Sequence, residues 1–248
     1  MKLSVKKEFP PAELAIDELP DLVMIHGTGA NSEMWRSQVD LLKSHGYRCF
    51  LPEFRGHGDS HEPGEPTGVE QHLQDIIESI TAPEVGIQFP AVFIGHSLGS
   101  IISLELVQQK PELFSKILAV SMPGKVIPAL TSAFRVLMSA PFEKLRGTAI
   151  HERLPWRERT LISTNRHSLE QIVENFSTRS YVERPLEIPC PVHFSVGRLD
   201  PVAPAHYVSK MHKALPSSTL KIFEWSGHNC MDERPEEFNK WLLEKLSE

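Results

Sequence analysis

The amino-acid sequence predicts an α/β fold, in which helices cover both faces of a mostly parallel β-sheet. Short apolar runs, rich in Val, Ile, Leu and Phe, alternate with longer stretches of helical periodicity along the 248 residues. Such continuous runs are typical of parallel strands that are buried on both faces. Their alternation with helices favours right-handed crossovers within one parallel sheet.

Six apolar runs are predicted as buried strands. In chain order they are Leu22–His26, Tyr47–Leu51, Ala91–Gly95, Lys116–Val120, Val192–Val196 and Leu220–Trp225. The segment KLSVKK near the start is a further candidate, as an antiparallel edge strand. Five helical patterns accompany these runs: SEMWRSQVDLLKS, VEQHLQDIIESI, LGSIISLELVQQ, PAHYVSKMHKAL and PEEFNKWLLEKL. The last two begin near Pro, which the first turn of a helix accepts.

Composition excludes several classes of protein. The net charge of −6 argues against a nucleic-acid partner, because phosphate binding needs a basic surface. The widely spaced Cys49, Cys190 and Cys230 suggest reduced thiols rather than a disulfide framework. We find no signal-peptide pattern and no apolar run of the roughly 18 residues that a membrane span needs. We therefore expect a cytoplasmic monomer or homodimer without stable membrane insertion.

One long segment interrupts the alternation of strands and helices. Residues 123–187 contain three helix-like stretches and no convincing strand, with 10 Lys and Arg against 7 Asp and Glu. We interpret the segment as a helical cap inserted into a core domain of residues 1–122 and 188–248. Extra helices within one larger domain would give the same pattern.

Ser97 lies in the sequence FIGHSLGSI, where an apolar run meets a helical pattern. A turn without loop residues forces its central residue into an unfavourable backbone conformation, and the small Gly95 and Gly99 let neighbouring backbone pass. In this context the pattern G-x-S-x-G indicates a nucleophile elbow, which presents the serine above the carboxyl ends of the strands. The N-terminus of the following helix adds free N–H groups.

A serine nucleophile needs a base, and the base needs an orienting group. Among the 12 histidines, His228 follows the last predicted strand and therefore lies at the same edge of the sheet as Ser97. His57 and His61 occupy a loop that could also reach this edge, and they remain alternatives. Asp200 follows another strand, and the order Ser97, Asp200, His228 is the nucleophile–acid–base order of one hydrolase class.

Acyl transfer also needs N–H donors for the oxyanion. The N–H of Leu98, directly after the nucleophile, is the first expected donor, and we assign the second to the N–H of Thr28 in the loop HGTG. Gly27 is expected to border the substrate, and His26 to fix the loop. A dinucleotide-binding loop is excluded because the third glycine of its fingerprint is missing.

Together these motifs make the chain similar to proteins of the α/β-hydrolase fold. The resemblance rests on HGTG at 26–29, RGHGDS at 55–60, GHSLG at 95–99, GRLDP at 197–201 and GH at 227–228. With a serine in the elbow, the chain resembles small carboxylesterases and lipases. Dehalogenases and epoxide hydrolases carry an aspartate at that position. The resemblance implies an eight-stranded, mostly parallel sheet with a lid after the sixth strand.

The expected function is hydrolysis of a carboxylic ester of a small or lipid-like apolar substrate, through an acyl-enzyme and without a metal or organic cofactor. Thioesters, lactones and amides suit the same residues. Carbon–carbon hydrolysis and cofactor-free haloperoxidase-like chemistry are further alternatives, and a small-molecule receptor could use the same pocket.

An apolar stripe at helical spacing runs through VIPALTSAFRVLMSAPF in the predicted cap. Phe134 and Met138 belong to this stripe, and we expect them to contact the substrate if the stripe faces the pocket. The stripe could equally pack on the core of the protein.

Overall fold

The computed structural model describes residues 1–62, 68–126, 132, 136, 142–176, 179–182 and 187–248. Within these residues seven strands form one sheet. They are β1 (Val5–Glu8), β2 (Leu22–Ile25), β3 (Cys49–Pro52), β4 (Ala91–His96), β5 (Phe114–Val120), β6 (Val192–Gly197) and β7 (Ser218–Phe223). Their spatial order is β1-β3-β2-β4-β5-β6-β7. β1 pairs with β3 antiparallel, and the other neighbouring pairs are parallel, so the predicted α/β fold is confirmed.

From β2 onwards, one or more helices follow each strand in the described residues. They are α1 (Arg36–Ser44), α2 (Val69–Ile80), α3 (Leu98–Gln109), α4 (Ala149–Arg153), α5 (Trp156–Ser163), α6 (Arg166–Phe176), α7 (Ala205–Ala214), α8 (Cys230–Glu233) and α9 (Pro235–Ser247). In the part of the chain that is described, none of the helices combines the length and the apolar character needed to cross a bilayer.

Two apolar clusters cover the two faces of the sheet. Alternate residues of β2 belong to different clusters: Val23 and Ile25 pack with α2, α3 and α7, whereas Leu22 and Met24 pack with α1 and α9. All four side chains are completely buried. Burial of both faces explains why the strand is apolar at every position, and why its pattern could be recognised in the sequence.

The expected number of eight strands is wrong for the described chain, which has seven. A single strand, β1, precedes β2, because residues 9–21 do not continue the sheet. Pro10 and Pro11 cannot donate to a strand ladder, and the chain turns here instead, with hydrogen bonds from Leu14 N to Pro11 O and from Leu19 N to Ile16 O. The HGTG loop therefore follows the second strand, and the predicted cap segment follows the fifth.

The order of the strands creates a crevice at the carboxyl end of the sheet. From β2 the chain moves to β3 on one side, and then returns to β4 on the other side of β2. In open α/β sheets such a reversal of direction leaves the space in which ligands bind. The loops after β2 and β4, which carry Thr28 and Ser97, lie on either side of it.

Candidate active site

Ser97 has a strained backbone that its side chain does nothing to relieve. Its φ of 52° and ψ of −111° lie in a region that L-residues rarely adopt. A serine that begins a helix normally accepts a hydrogen bond from an N–H of the first turn. The Ser97 side chain makes no such bond with α3, so its hydroxyl is not used as a helix cap.

Two glycines allow the sharp turn at Ser97. A Cβ atom on Gly95 would lie 2.4 Å from the carbonyl carbon of Gly99, and a Cβ atom on Gly99 would lie 2.2 Å from the carbonyl oxygen of Ile25. Both distances are far shorter than any real contact. Gly95 and Gly99 therefore let α3 begin directly beside β4 and β2, as the sequence pattern predicts.

Asp200 and His228 are joined by a hydrogen bond at the carboxyl ends of β6 and β7. The distance between Asp200 Oδ2 and His228 Nδ1 is 2.8 Å. The other carboxylate oxygen, Oδ1, accepts from the N–H groups of Val202 and Ala203, each at 2.8 Å. The carboxylate is buried, whereas His228 is about one-fifth exposed, so the imidazole lies between a fixed acid and the open side of the site.

The environment of Asp200 keeps its carboxylate ionised. Burial raises the pKa of Asp200, but the hydrogen bond and charge of His228, with the two N–H donors, lower it further, and the net pKa lies below the usual value. A carboxylate with this environment can orient an imidazole and stabilise its protonated form.

His96 is the neighbour of Ser97, but it faces a different partner. Its Nε2 lies 2.9 Å from the backbone carbonyl oxygen of His228, which requires a proton on Nε2. Burial, followed by the nearby His228, lowers the pKa of His96 to about 3. His96 is therefore neutral and helps to fix the backbone of the loop that carries His228.

The HGTG loop is held by two buried histidines. The N–H of Gly29 donates to His57 Nε2 at 3.1 Å, while His57 Nδ1 donates to the carbonyl oxygen of Arg55 at 3.0 Å. His26 Nε2 accepts from the N–H of Phe54 at 3.0 Å. Burial lowers the pKa of His57 to about 3 and that of His26 to about 4. Both rings are therefore neutral, and their hydrogen bonds hold the loop in place.

Glu53 connects the same loop to the turn that contains His57. One oxygen of its buried carboxylate accepts from the N–H of Ser32 at 3.1 Å and from the hydroxyl of Ser32 at 2.6 Å. The other oxygen accepts from the N–H of Asp59 at 2.7 Å. The backbone around Thr28 is thus fixed from both sides by side chains that do not reach the cavity.

A cavity of about 530 Å³ adjoins Ser97. Its core-side wall comes from the HGTG loop, the elbow and the loop after β7. Its opposite wall comes from α5 and α6. The described lining residues are Gly27, Thr28, Gly29, Ala30, Met34, His96, Ser97, Leu98, Ile101, Pro123, Val126, Trp156, Arg157, Thr160, Leu161, Ile172, Val173, Phe176, Val202, His228 and Asn229.

The sequence-predicted residues fall into three groups in the structure. Five of them line the cavity: Gly27, Thr28, Ser97, Leu98 and His228. Asp200 lies behind His228 and outside the lining. Phe134 and Met138 lie outside the described residues, so the predicted apolar stripe is not addressed by the structure.

The two alternative bases occupy unsuitable positions. Both ring nitrogens of His57 are engaged in hydrogen bonds within the core. His61 is exposed, and it does not belong to the described cavity wall. Within the described residues, no cluster of three or more His, Cys, Asp or Glu side chains could hold a metal ion.

Several lining residues were not singled out from the sequence. Asn229 and Val202 follow His228 and Asp200 closely, so proximity to those motifs could have indicated them. Trp156 and Arg157 gave no such signal, because they belong to a segment whose path over the sheet depends on tertiary packing. Both begin α5 and contribute to the wall opposite Ser97.

Comparison with known proteins agrees with this architecture. The sequence model of the alpha/beta hydrolase family matches residues 22–241. A pimeloyl-[acyl-carrier protein] methyl ester esterase of Vibrio vulnificus (strain YJ016) is 24% identical over 246 residues, covering 90% of this chain and 93% of that protein.

Solved structures give the same fold at lower identity. An esterase from Exiguobacterium antarcticum superposes with a TM-score of 0.81 at 20% identity, covering 99% of this chain and 96% of that one. The enol-lactonase from Burkholderia xenovorans LB400 gives a TM-score of 0.79 at 19% identity, with the same coverage of 99% and 96%.

Proposed function

Because the chain belongs to the α/β-hydrolase family, we propose that it is a serine hydrolase which cleaves a carboxylic ester through an acyl-enzyme. The observation that carries the proposal is the Asp200–His228 hydrogen bond of 2.8 Å, beside a strained serine that borders the same cavity as His228. A base oriented by a buried acid is what a serine hydroxyl needs to become a nucleophile.

The hydrogen bond sets the direction of proton transfer. His228 Nδ1 carries the proton that Asp200 accepts, so Nε2 keeps its lone pair. As Ser97 Oγ attacks the acyl carbon, Nε2 takes its proton and later gives it to the leaving alcohol. Water activated by the same nitrogen then releases the acid. Asp200 stays ionised throughout and stabilises the imidazolium.

Two backbone N–H groups are assigned to the oxyanion. Leu98 N–H begins α3 directly after the nucleophile, and Thr28 N–H belongs to the loop after β2, which lines the same cavity. Within the described chain neither group donates to another residue. Gly29 N–H, by contrast, is already bonded to His57 and is not a candidate. Each such donor supplies several kcal/mol in comparable sites.

The cavity favours an apolar acyl or alkyl group. Most of its lining side chains are aliphatic or aromatic, and a volume of about 530 Å³ suits a ligand of small to medium size. The chain is similar to a pimeloyl-[acyl-carrier protein] methyl ester esterase and to a structurally characterised esterase, and these similarities support an ester as the substrate. The lactonase among the structural neighbours makes lactones the first alternative to test.

Fluorophosphonate labelling tests the activated serine. The wild-type protein should be labelled, and Ser97→Ala should not, because the probe reacts with a serine that a base has activated. Ser44→Ala, which changes an exposed serine, is the matched control and should label like the wild type. Absence of labelling on the folded wild-type protein would refute the proposal.

A substrate panel then tests the class of bond. We expect p-nitrophenyl esters to be hydrolysed, with kcat/KM reduced at least about 10⁴-fold in Ser97→Ala. Thioesters and lactones of equal chain length are measured beside them. A labelled protein that turns over lactones or thioesters but no ester would keep the mechanism and overturn the ester assignment.

A further inference from the structure

Asp232 is a partly exposed residue that bonds to two residues of the cavity wall, although it does not itself line the cavity. It lies in the short helix α8, four positions after His228. Its Oδ2 accepts from Trp156 Nε1 at 3.1 Å and from Arg157 Nη2 at 3.2 Å. Both donors begin α5, and both line the cavity opposite Ser97. One carboxylate oxygen therefore ties the loop of His228 to the far wall of the pocket.

The wall is tied at a second point on the other side of the site. Arg159, also on α5, forms an ion pair with Glu33, which follows the HGTG loop. The Arg157 guanidinium lies 5.7 Å from the centre of the Trp156 ring. Trp156 itself packs at the edge of the apolar cluster that contains α1 and α9. With Asp232 in place, the start of α5 has little freedom to move away from the pocket.

We propose that Asp232 is the positioning residue that sets the acyl specificity of this pocket. It holds Trp156 and Arg157 against the cavity and thereby limits the length of the acyl chain. This inference rests on the proposed function, since it concerns the substrate of the same site. Asp232 acts through two side chains and touches no reacting atom.

The same contacts determine which charge the pocket accepts. Arg157 is a cation in the cavity wall, but Asp232 lies 3.2 Å from its guanidinium and Glu233 lies 3.9 Å away. Their carboxylates compensate its charge before any substrate enters. A neutral acyl chain therefore fits the resting pocket, whereas a chain that ends in a carboxylate meets a guanidinium that is already paired.

Chain-length profiles test the positioning role. We measure kcat and KM for p-nitrophenyl esters from acetate to laurate, with the wild-type protein, Asp232→Ala and Asp232→Asn. Asp232→Ala removes both hydrogen bonds, so the optimum should move to longer chains and the preference for the original length should fall roughly tenfold, mainly through KM. An asparagine oxygen can still accept from Trp156, so Asp232→Asn should keep the wild-type profile for neutral esters.

A charged substrate separates the two roles of Asp232. The probe is the mono-p-nitrophenyl ester of adipic acid, whose acyl chain ends in a carboxylate. Asp232→Asn leaves Arg157 less compensated, so discrimination against this ester, relative to the neutral hexanoate, should fall roughly tenfold. Glu236→Gln removes one exposed charge from the first turn of α9 and should change neither ratio.

The outcomes distinguish this inference from the proposed function. If the folded wild-type protein takes no fluorophosphonate label, both fail. If it is labelled and hydrolyses esters, but Asp232→Ala keeps the wild-type chain-length profile, only the role of Asp232 is overturned. Should Asp232→Ala not fold, Trp156→Phe removes the same hydrogen bond from its donor end and must reproduce the shift to longer chains. An unchanged profile there also overturns the inference.

Discussion

Ser97 carries a conformational cost that its own side chain does not offset. A positive φ in a residue with a Cβ atom costs on the order of 1–3 kcal/mol, and the Ser97 side chain makes no capping bond that could repay it. The conformation persists because β4, α3 and β2 impose it through the close approach at Gly95 and Gly99. The strain is therefore a consequence of packing that fixes the hydroxyl beside the cavity.

We predict that Gly99→Ala destabilises the protein by about 2–3 kcal/mol or more. The new Cβ atom would lie 2.2 Å from the carbonyl oxygen of Ile25, and a backbone atom in a central strand cannot move aside as a flexible side chain can. Urea unfolding followed by circular dichroism measures the change.

Gly68→Ser is the matched control for that substitution. Nothing lies within 4 Å of a Cβ atom at Gly68, and the residue precedes α2 with an extended backbone, where serine is a favourable N-cap. Its stability should stay equal to or above that of the wild type. Equal effects of both substitutions would contradict the close-approach argument.

At the scale of elements, the HGTG loop depends on a second loop, whose described residues 53–62 do not line the cavity. His57 accepts the N–H of Gly29, and Glu53 accepts the N–H and hydroxyl of Ser32. The N–H of Thr28 lies in the sequence between Gly29 and His26, whose ring accepts the N–H of Phe54. Its direction is therefore set by residues that follow β3, and not by the loop itself.

We predict that His57→Ala lowers kcat for ester hydrolysis by about tenfold or more, with a smaller effect on KM. An oxyanion donor matters in the transition state, and a whole donor is worth roughly 100–1,000-fold. His57→Gln keeps an acceptor near the position of Nε2 and should recover part of the loss. Steady-state kinetics on a short ester measures both variants.

The control for His57→Ala is a substitution of His61, which lies in the same loop. His61 is exposed, so His61→Ala should leave kcat and KM unchanged. If His57→Ala changed KM alone, or if its effect matched that of His61→Ala, the positioning role of His57 would be wrong.

The buried strands were predictable from the sequence because every residue in them is buried, which leaves a continuous apolar run. β2 and β4 are apolar at nearly every position and covered on both faces, and their predicted bounds differ from the structure by a single residue at the C-terminal end. The edge of the sheet was less predictable. Residues 9–21 have no pattern that separates an extra strand from a series of turns, and the eighth strand that the resemblance implied is absent from the described residues.

The prediction of the site was also limited, because a sequence shows local patterns but not the contacts between distant segments of the chain. Ser97, Asp200 and His228 lie at or shortly after the carboxyl ends of β4, β6 and β7, so the shared edge of a parallel sheet was enough to predict that they lie close together. The contacts of Asp232 and His57 join segments far apart in the chain, and no local pattern marks them. The opposite wall of the cavity depends on how α5 and α6 pack over the sheet.

At the scale of the whole molecule, buried histidines link folding to pH, and among the described histidines the largest shifts of pKa belong to His26, His57, His72 and His96. Burial is the main cause that lowers the pKa of His26 and His72 to about 4, and that of His57 and His96 to about 3. In the unfolded chain each returns to about 6.5. Between these values the unfolded state binds more protons than the folded state, so stability falls as the pH falls below about 6.5.

We predict that the free energy of unfolding is nearly constant from pH 8 to pH 7 as far as these groups are concerned. From pH 7 to pH 5 it should fall by roughly 2 kcal/mol for each of the four histidines at most. Asp75 and Asp200 also have lowered pKa values, but their stabilisation is lost at more acidic pH. Urea unfolding at half-unit intervals of pH separates the two ranges.

His72 offers the sharpest test, because it lies outside the candidate active site and its ring Nε2 has no hydrogen-bond partner among the described residues. His72→Asn removes one titrating group, so the slope of the unfolding free energy between pH 6 and pH 5 should decrease by about 1.2 kcal/mol per pH unit. His206→Asn, at an exposed position of α7, should leave the slope unchanged. Because the quantity is a slope, a general loss of stability in His72→Asn would not imitate it, and equal slopes in the wild type and His72→Asn would show that His72 does not contribute to this linkage.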